Sequence, residues 1–413
     1  MKESSKVYYD VIIIGGGPAG LFSALSIKNK SVLLIEKNET LGKKLLITGL
    51  GQCNYTNFCS KDEFLTHYGQ KGRFLKPALY KFTNKDSMKF FDDAGVKSIV
   101  REDNKVFPSS FKAGDILNAL IEKCKENHVK IMCNTKANYV KYHQDVDCFS
   151  IKTDDNVYEC KYLILSTGGK SYEHTGSTGD GYKFAKILGH SIEETQPSLA
   201  PVFIENYNFN DLSGISFENI KITSWRNNKK INEFTGDMLF THKNISGPVI
   251  INNSRYIEAG DILKFNFTEF KNSEEFKKYF EEKLSSSGKL NVKTLVKELN
   301  LPKRFVDKIM NLANVSDDLI CSQLSKTSRK TIIDLLSNYE MVVEKLGNYN
   351  VAMATRGGVS TNEINSKTME SKIINNLYFA GEVMDVDGDT GGYNIQAAFS
   401  TGKLAADSIN LRK

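Results

Sequence analysis

The sequence predicts an α/β fold in which the two ends of the chain build one domain around inserted segments of a different character. An apolar run at 11–14, a glycine-rich stretch at 15–20 and an apolar run at 32–35 indicate a strand, a tight turn, a helix and a second strand. Short β-like runs dominate residues 198–268, whereas residues 272–337 show a helical pattern rich in Lys, Glu and Leu. This succession favours a parallel-sheet domain interrupted by a barrel-like β domain and a helical subdomain.

The remaining elements follow from local periodicity and turn residues. Helices are predicted at 86–94, 113–127, 182–188 and 393–409. Strands are predicted at 129–133, 137–142, 148–153, 157–160, 162–165, 201–204, 219–225, 238–241, 262–267 and 377–380, with further short strands in 339–356. The predicted divisions are a first domain at 1–196 and 357–413, a β-rich barrel-like domain at 197–271 and 338–356, and a helical insertion at 272–337.

The glycine-rich turn has the spacing of a dinucleotide-binding βαβ unit. Gly15 permits the tight turn, Gly17 permits close approach of backbone to a pyrophosphate, and Gly20 permits close packing of helix on strand. Glu36 ends the next apolar run about 20 residues later, where a carboxylate can bond ribose hydroxyls. The alternative is an ordinary glycine turn beside a solvated Glu. The predicted cofactor contacts of this unit are Gly15, Gly17, Pro18, Ala19, Gly20, Glu36 and Lys37.

Composition argues against nucleic-acid and membrane partners and favours the cytoplasm. The 413 residues carry a net charge of +6, and the basic residues are mostly Lys interleaved with acids, which predicts a solvated surface with no nucleic-acid partner. The seven cysteines include no CxxC pair, as is typical of reduced thiols in the cytoplasm. The first strand begins too early for a signal peptide to precede it, and no apolar run reaches the length of a membrane span. We therefore expect a cytoplasmic protein without a membrane partner or a metal site.

The C-terminal region favours FAD over NAD. Gly381 and Glu382 end a short apolar strand, which lets a carboxylate reach the ribityl or pyrophosphate region of an extended cofactor. Gly391 and Gly392 precede the last helix, so that backbone N–H groups can approach the flavin ring. Alternating acids at 385, 387 and 389 leave open an acidic, cation-binding loop, although the downstream Glu and the flanking helices of an EF-hand are not evident.

Several motifs together resemble the fumarate-reductase-like superfamily of FAD flavoproteins: GGGPAG with Glu36, 166–169, 178–181 and 380–382. The segments 48–57, 239–242, 246–248, 356–359, 368–372 and 385–394 more specifically resemble a flavoprotein family whose members are named aminoacetone oxidase or 3-dehydro-bile-acid reductase. Members often carry Arg where this chain has Gln52. The resemblance implies a Rossmann-type FAD-binding domain with inserted β-barrel-like and helical domains, and a flavin redox enzyme.

The glycine- and asparagine-rich loop at 49–57 is a candidate flavin-contacting segment, because its glycines permit close approach and its amides can bond ring heteroatoms. A redox dithiol of Cys53 and Cys59 is the alternative, although their spacing is one residue longer than CxxxxC. The remaining predicted cofactor contacts are Lys44, Gly49, Gly51, Cys53, Asn54, Ala137, Thr167, Gly168, Gly381, Glu382, Asp385, Gly391, Gly392, Tyr393, Asn394 and Ile395.

Three residues are candidates for catalysis. His242 ends an apolar β-run and can donate a proton or anchor a substrate. Tyr393 begins the last helix and is a second candidate proton donor. Arg356, one of only eight arginines, can bind a carboxylate or carbonyl substrate or the pyrophosphate; a structural salt bridge is an equal alternative.

These observations predict an FAD-dependent oxidoreductase that exchanges a hydride between flavin N5 and a small organic substrate. The favoured reaction is reduction of an enone-type C=C bond, with NAD(P)H as transient electron donor. An amine oxidase that acts on aminoacetone and uses O₂ is the alternative. An FAD-dependent tRNA-modifying enzyme, a flavin disulfide reductase and a flavin-binding protein without turnover are the further alternatives.

Overall fold

The computed structural model describes residues 7–412, which divide into two compact units. The first unit comprises residues up to Ser198 and from Tyr349 onward, and the second comprises Leu199–Asn348. The strand that leaves the first unit, Ile192–Ser198, pairs antiparallel with the strand that re-enters it, Ala354–Val359. The first unit thus includes residues 197–198 and 349–356, which the sequence pattern places in the β-rich domain. The three-part domain division as such stays a prediction.

The N-terminal part of the first unit contains ten strands and seven α-helices. The strands are β1 (Val7–Ile14), β2 (Val32–Ile35), β3 (Thr56–Asn57), β4 (Ser98–Val100), β5 (Lys105–Pro108), β6 (Lys130–Met132), β7 (Tyr139–His143), β8 (Cys148–Lys152), β9 (Val157–Leu165) and β10 (Ile192–Ser198). The helices are α1 (Pro18–Ser26), α2 (Lys43–Leu46), α3 (Lys61–Thr66), α4 (Gly72–Lys81), α5 (Asn84–Asp93), α6 (Ala113–Glu126) and α7 (Asp180–Ile187).

The second unit and the C-terminal return complete the chain. The second unit contains β11 (Val202–Ile204), β12 (Ser216–Arg226), β13 (Lys229–Phe240), β14 (Ile245–Ser246), β15 (Ile262–Asn266), β16 (Tyr339–Leu346), α8 (Pro248–Asn253), α9 (Ser273–Ser286), α10 (Val292–Lys297), α11 (Lys303–Leu312) and α12 (Lys326–Ser337). The return adds β17 (Ala354–Val359), β18 (Leu377–Phe379) and α13 (Tyr393–Asn410).

A seven-stranded sheet forms the centre of the first unit. Its order is β6, β2, β1, β9, β8, β7, and β18 pairs with the C-terminal half of β9. The pairs β6–β2, β2–β1, β1–β9 and β9–β18 are parallel, while β7, β8 and β9 run antiparallel. Val11, Ile12 and Ile13 are fully buried because both faces of a parallel sheet are covered by other elements. The predicted α/β class with a βαβ dinucleotide fold is confirmed.

The second unit is built on a closed antiparallel barrel of β11, β14, β13, β12, β15 and β16. Helices α9 to α12 bury their apolar residues in the same hydrophobic cluster as the barrel strands. Phe305 of α11, for example, packs edge-on against Phe217 of β12 with ring centroids 4.8 Å apart. Of the helices within residues 7–412, none has the length and apolar character that crossing a bilayer requires.

Candidate cofactor site

A cavity of about 200 Å³ opens in the first unit where β1 and β2 end and α1 begins. Parallel strands end in the same direction, so the loops after them converge on one edge of the sheet, where α/β proteins hold their ligands. Fourteen of the predicted cofactor contacts line this cavity: Gly15, Gly17, Pro18, Ala19, Glu36, Lys37, Lys44, Ala137, Thr167, Gly168, Gly381, Glu382, Asn394 and Ile395.

The glycines of the first turn are required for different steric reasons. A Cβ on Gly15, which has φ +112°, would lie 2.5 Å from the Ser166 carbonyl oxygen. A Cβ on Gly20 would lie 1.9 Å from the Gly15 carbonyl oxygen. A Cβ on Gly17 would meet no protein atom within 4 Å, so this backbone borders open space at the start of α1. The turn therefore presents a bare helix N-terminus, which suits a phosphate group.

Glu36 is nearly buried and its carboxylate is already held by the protein. Oε2 accepts the Gly16 N–H at 2.8 Å, and Oε1 accepts the Asn38 N–H at 2.8 Å and Asn38 Nδ2 at 2.7 Å. A carboxylate has about four acceptor positions, so one remains for a ligand hydroxyl. These contacts fix Glu36 at the cavity wall, where its role towards ribose stays a prediction.

Both lysines predicted at the cofactor lie at the cavity wall in ion pairs. Lys37 Nζ lies 2.7 Å from Asp180 Oδ2, and Lys44 Nζ lies 2.8 Å from Glu382 Oε2. Burial opposes ionisation of Asp180, but hydrogen bonds from Lys37 and Thr178 more than offset it and lower the pKa of the carboxyl. The carboxylates thus hold two ammonium groups at a site where a pyrophosphate would need positive charge.

The C-terminal helix contributes a further wall of the cavity. Asn394 and Ile395, in the first turn of α13, line it, and Gly381 is fixed by donating its N–H to Thr401 Oγ1 at 3.0 Å. A Cβ on Gly392 would lie 2.4 Å from the Thr56 carbonyl oxygen, so Gly392 serves packing against β3. Gly391 and Gly392 do not line the cavity, and their role at the flavin ring stays a prediction.

The cavity has an orphaned polar atom of the kind a polar ligand satisfies. Thr167 Oγ1 is buried without a hydrogen-bond partner, and Thr167 lines the cavity directly after β9. Buried hydroxyls are nearly always bonded, so Thr167 Oγ1, which lies beside Gly181, is a candidate partner for a polar group of a ligand. Together with the open backbone at Gly17 and the two ammonium groups, it fits a dinucleotide such as FAD.

The loop that follows α2 contacts the cavity only at its start. Thr48 lines the cavity, whereas the predicted contacts Gly49, Gly51, Cys53 and Asn54 do not. The Asn54 amide nitrogen instead donates to the carbonyl oxygens of Thr56 and Val106 at 3.2 Å each. These bonds hold the loop against β3 and β5, and the predicted flavin contact of residues 49–57 stays a prediction.

The dithiol alternative gains no support from the two thiols. Cys53 and Cys59 are both free and buried, and burial raises the pKa of Cys53 to about 12 and that of Cys59 above its ordinary value. A redox-active cysteine needs a low thiol pKa and access to solvent. Both thiols have the opposite properties.

The three predicted catalytic residues and Asp385 lie outside the cavity lining. Tyr393 is 4 % exposed, with its hydroxyl 3.9 Å from Cys59 Sγ, and burial raises its pKa well above the ordinary value. Arg356, on β17, donates to Gln196 Oε1 at 2.8 Å, and Asp385 pairs with Lys71. His242 is exposed in a turn of the second unit. Their catalytic and cofactor roles therefore stay predictions, and Tyr393 and Asp385 already have partners within the protein.

Sequence reasoning missed several cavity residues. They come from the loop after β2, the loop after β6 and the loop before α7: Asn38, Gly42, Thr135, Lys136, Thr175, Gly176 and Ser177. The signal for Thr135 and Lys136 is their position just after a short strand. Their position indicates a cavity contact only once β6 is known to pair with β2 in parallel, because that pairing brings the loop after β6 to the same edge of the sheet.

Comparison with known proteins agrees with the geometry. The model of the HI0933-like protein Rossmann domain matches residues 9–408. The chain is 33% identical over 410 residues to a ribosomal RNA dihydrouridine synthase of Haemophilus influenzae, covering 98% of this chain and 99% of the relative. It is 27% identical over 403 residues to a 3-dehydro-bile acid delta(4,6)-reductase of Clostridium scindens, covering 95% and 97%.

A solved structure shares the fold at low identity. The 3-ketosteroid-delta4-(5alpha)-dehydrogenase of Rhodococcus jostii RHA1 superposes with a TM-score of 0.53 at 12% identity, covering 100% of this chain and 98% of that one. The glycine turn, the cavity and the full-length family match agree with one another, and the chain belongs to the HI0933-like family of FAD-binding Rossmann proteins and is an FAD-dependent oxidoreductase.

Proposed function

We propose that this enzyme reduces a C=C bond conjugated to a carbonyl group. The observation that carries the proposal is the match, over nearly the whole chain, to two relatives whose names describe the same type of reaction. Making dihydrouridine saturates the C5=C6 bond of uracil, which is conjugated to the C4 carbonyl, and a 3-oxo-Δ4,6 bile acid carries two C=C bonds conjugated to its C3 carbonyl. Bound FAD would supply the hydride chemistry that both reactions need.

Different residues of the chain would hold different parts of that cofactor. The backbone around Gly17 and the start of α1 would face the pyrophosphate, with Lys37 and Lys44 as neighbouring cations. Glu36 would accept a ribose hydroxyl through its remaining acceptor position. Thr167 Oγ1 would gain the hydrogen-bond partner it lacks in the protein.

We propose a uridine of ribosomal RNA as the first substrate candidate. Identity is 33% to the rRNA enzyme and 27% to the bile-acid enzyme, over nearly the whole chain in both cases. The net charge of +6 is modest for 413 residues and by itself favours neither substrate. This proposal departs from the sequence-based expectation of no nucleic-acid partner. A small enone of steroid type is the second candidate, favoured by the bile-acid relative.

The substrate test compares both classes on one preparation. Purified holoprotein with NADH or NADPH is incubated with unmodified ribosomal RNA, and the nucleosides are analysed by mass spectrometry for dihydrouridine. A parallel arm offers a 3-oxo-Δ4 steroid and follows its saturated product. Dihydrouridine at one position, dependent on protein and donor, supports the first candidate; a saturated steroid alone supports the second. Peroxide release with aminoacetone and neither reduced product would contradict the reaction class.

A further inference from the structure

Three residues with metal-ligating side chains lie together on the segment that contains α3. Cys59, Glu63 and His67 each offer one ligand atom, a sulfur, a carboxylate oxygen and a ring nitrogen, and these atoms all lie within 4.8 Å of one another. Glu63 lies on α3, His67 is the residue that caps its C-terminal end, and Cys59 directly precedes its N-cap residue Ser60. None of the three lines the cofactor cavity described above.

The histidine of this cluster has an outer-shell partner. His67 Nδ1 lies 2.9 Å from Asp389 Oδ2, a contact that orients the ring; if it is kept, Nε2 is the nitrogen that would ligate. The Tyr393 ring stacks on the imidazole with centroids 4.0 Å apart and planes inclined by 18°. A carboxylate behind a ligating imidazole is the usual second shell of a metal site, and here aromatic packing fixes the ring as well.

We propose that Cys59, Glu63 and His67 bind a divalent metal ion of the zinc class. Thiolate, imidazole and carboxylate are the donors that Zn²⁺ takes, and three protein ligands leave one position for water or another group. Metal bonds of about 2.0–2.3 Å place tetrahedral ligand atoms roughly 3.3–3.8 Å apart. The observed atoms reach that separation by a small contraction, for which Glu63 is suited because its side chain is exposed.

The site would act as a structural brace. The ligands come from one segment, and their partners Asp389 and Tyr393 come from the chain just before and at the start of α13. Asn394 and Ile395, the next two residues, line the cofactor cavity. A bound ion would fix the orientation of His67, and through the contacts of His67 with Asp389 and Tyr393 it would stabilise the segment that leads into this cavity wall. The proposal does not depend on the identity of the substrate.

Zinc binding by the tag-free holoprotein tests the proposal. After chelator treatment and dialysis, ZnCl₂ is added at known free concentrations, and bound zinc is measured by elemental analysis. One zinc per chain is expected, with at least tenfold weaker binding in Glu63→Gln, Cys59→Ser and His67→Ala and weaker binding in Asp389→Asn. Glu122→Gln, at an exposed carboxylate of α6, is the matched control that binds like the parent.

The absorption spectrum of bound Co²⁺ tests whether the Cys59 thiolate is one of the ligands. Replacing zinc with Co²⁺ produces a thiolate charge-transfer band, read as a difference spectrum against the metal-free holoprotein; it should vanish in Cys59→Ser and persist in Cys148→Ser. Glu63 is exposed, so Glu63→Gln keeps the test decisive even if Cys59→Ser fails to fold. Zinc affinity in Glu63→Gln equal to that of the parent, or no stoichiometric zinc in the parent, overturns the proposal.

Discussion

Lys44 Nζ lies 2.8 Å from Glu382 Oε2, so one ion pair at the cavity joins residues 338 positions apart in the chain. The other carboxylate oxygen of Glu382 accepts the Thr355 N–H at 2.7 Å. This relationship connects the N-terminal dinucleotide motif with the C-terminal strand and loop. It makes the cofactor site a product of both ends of the chain.

The first prediction concerns that pair. Lys44→Met removes an ammonium group from the cavity wall, and we expect the dissociation constant of FAD to rise about tenfold, on the order of 1.4 kcal/mol. Reconstitution of apoprotein with FAD, followed by fluorescence, measures it. Lys89→Met, in an exposed ion pair on α5, is the control and should bind FAD like the parent. If Glu382 acts mainly by holding Lys44, adding Glu382→Gln to the Lys44→Met variant should change the dissociation constant of FAD little further.

The second prediction concerns the glycine turn. Gly20→Ala places a methyl group 1.9 Å from the Gly15 carbonyl oxygen, which the backbone relieves only by moving. We expect a loss of about 1–3 kcal/mol in unfolding free energy and at least tenfold weaker FAD binding. Denaturant unfolding and FAD titration measure the two effects. Gly114→Ala, where a Cβ meets nothing within 4 Å, should be neutral or stabilising; equal behaviour of the two variants would contradict the steric account.

The third prediction isolates the orphaned hydroxyl. Thr167→Val keeps the shape of the side chain and removes an Oγ1 that has no partner in the protein. The apoprotein should therefore be at least as stable as the parent, while FAD affinity should fall by roughly two- to tenfold, the worth of about one hydrogen bond. Thermal unfolding with and without FAD separates these effects. An unchanged FAD affinity would show that the hydroxyl does not contact the cofactor.

The fourth prediction concerns acid stability. The pKa of Asp180 is lowered in the folded state, so its ion pair with Lys37 stabilises the fold above the ordinary Asp pKa of about 3.9 and loses this effect as pH falls through the lower, folded-state value. The melting temperature of the parent should exceed that of Asp180→Asn at pH 7, and the difference should shrink below about pH 4. A difference that stays constant or grows towards acid pH would contradict this assignment.

Cavity residues that belong to a local sequence motif could be predicted from the sequence. Gly15, Gly17 and Glu36 were placed by spacing alone, and Gly381 and Glu382 by their position after a buried strand. The α/β class followed from the order of apolar runs. These signals are local because tight turns and buried parallel strands restrict which residues fit.

Other parts of the site depend on packing that spacing does not encode. Lys136 reaches the cavity because β6 pairs with β2, a choice of strand order made by the whole sheet. Tyr393 points into an aromatic cluster with Phe64 and His67, whereas its neighbour Asn394 lines the cavity. The sequence pattern marked the start of α13 but not which side chain faces the ligand.

The substrate that reoxidises the reduced flavin distinguishes reduction of a conjugated C=C bond from amine oxidation. Holoprotein is reduced chemically without oxygen, mixed with either unmodified ribosomal RNA or a 3-oxo-Δ4 steroid, and followed by flavin absorbance together with mass spectrometry of the products. We predict rapid return of oxidised flavin absorbance with ribosomal RNA, accompanied by a stoichiometric amount of dihydrouridine. Flavin that stays reduced with both substrates, yet is rapidly reoxidised by oxygen after reduction with aminoacetone, would contradict the account.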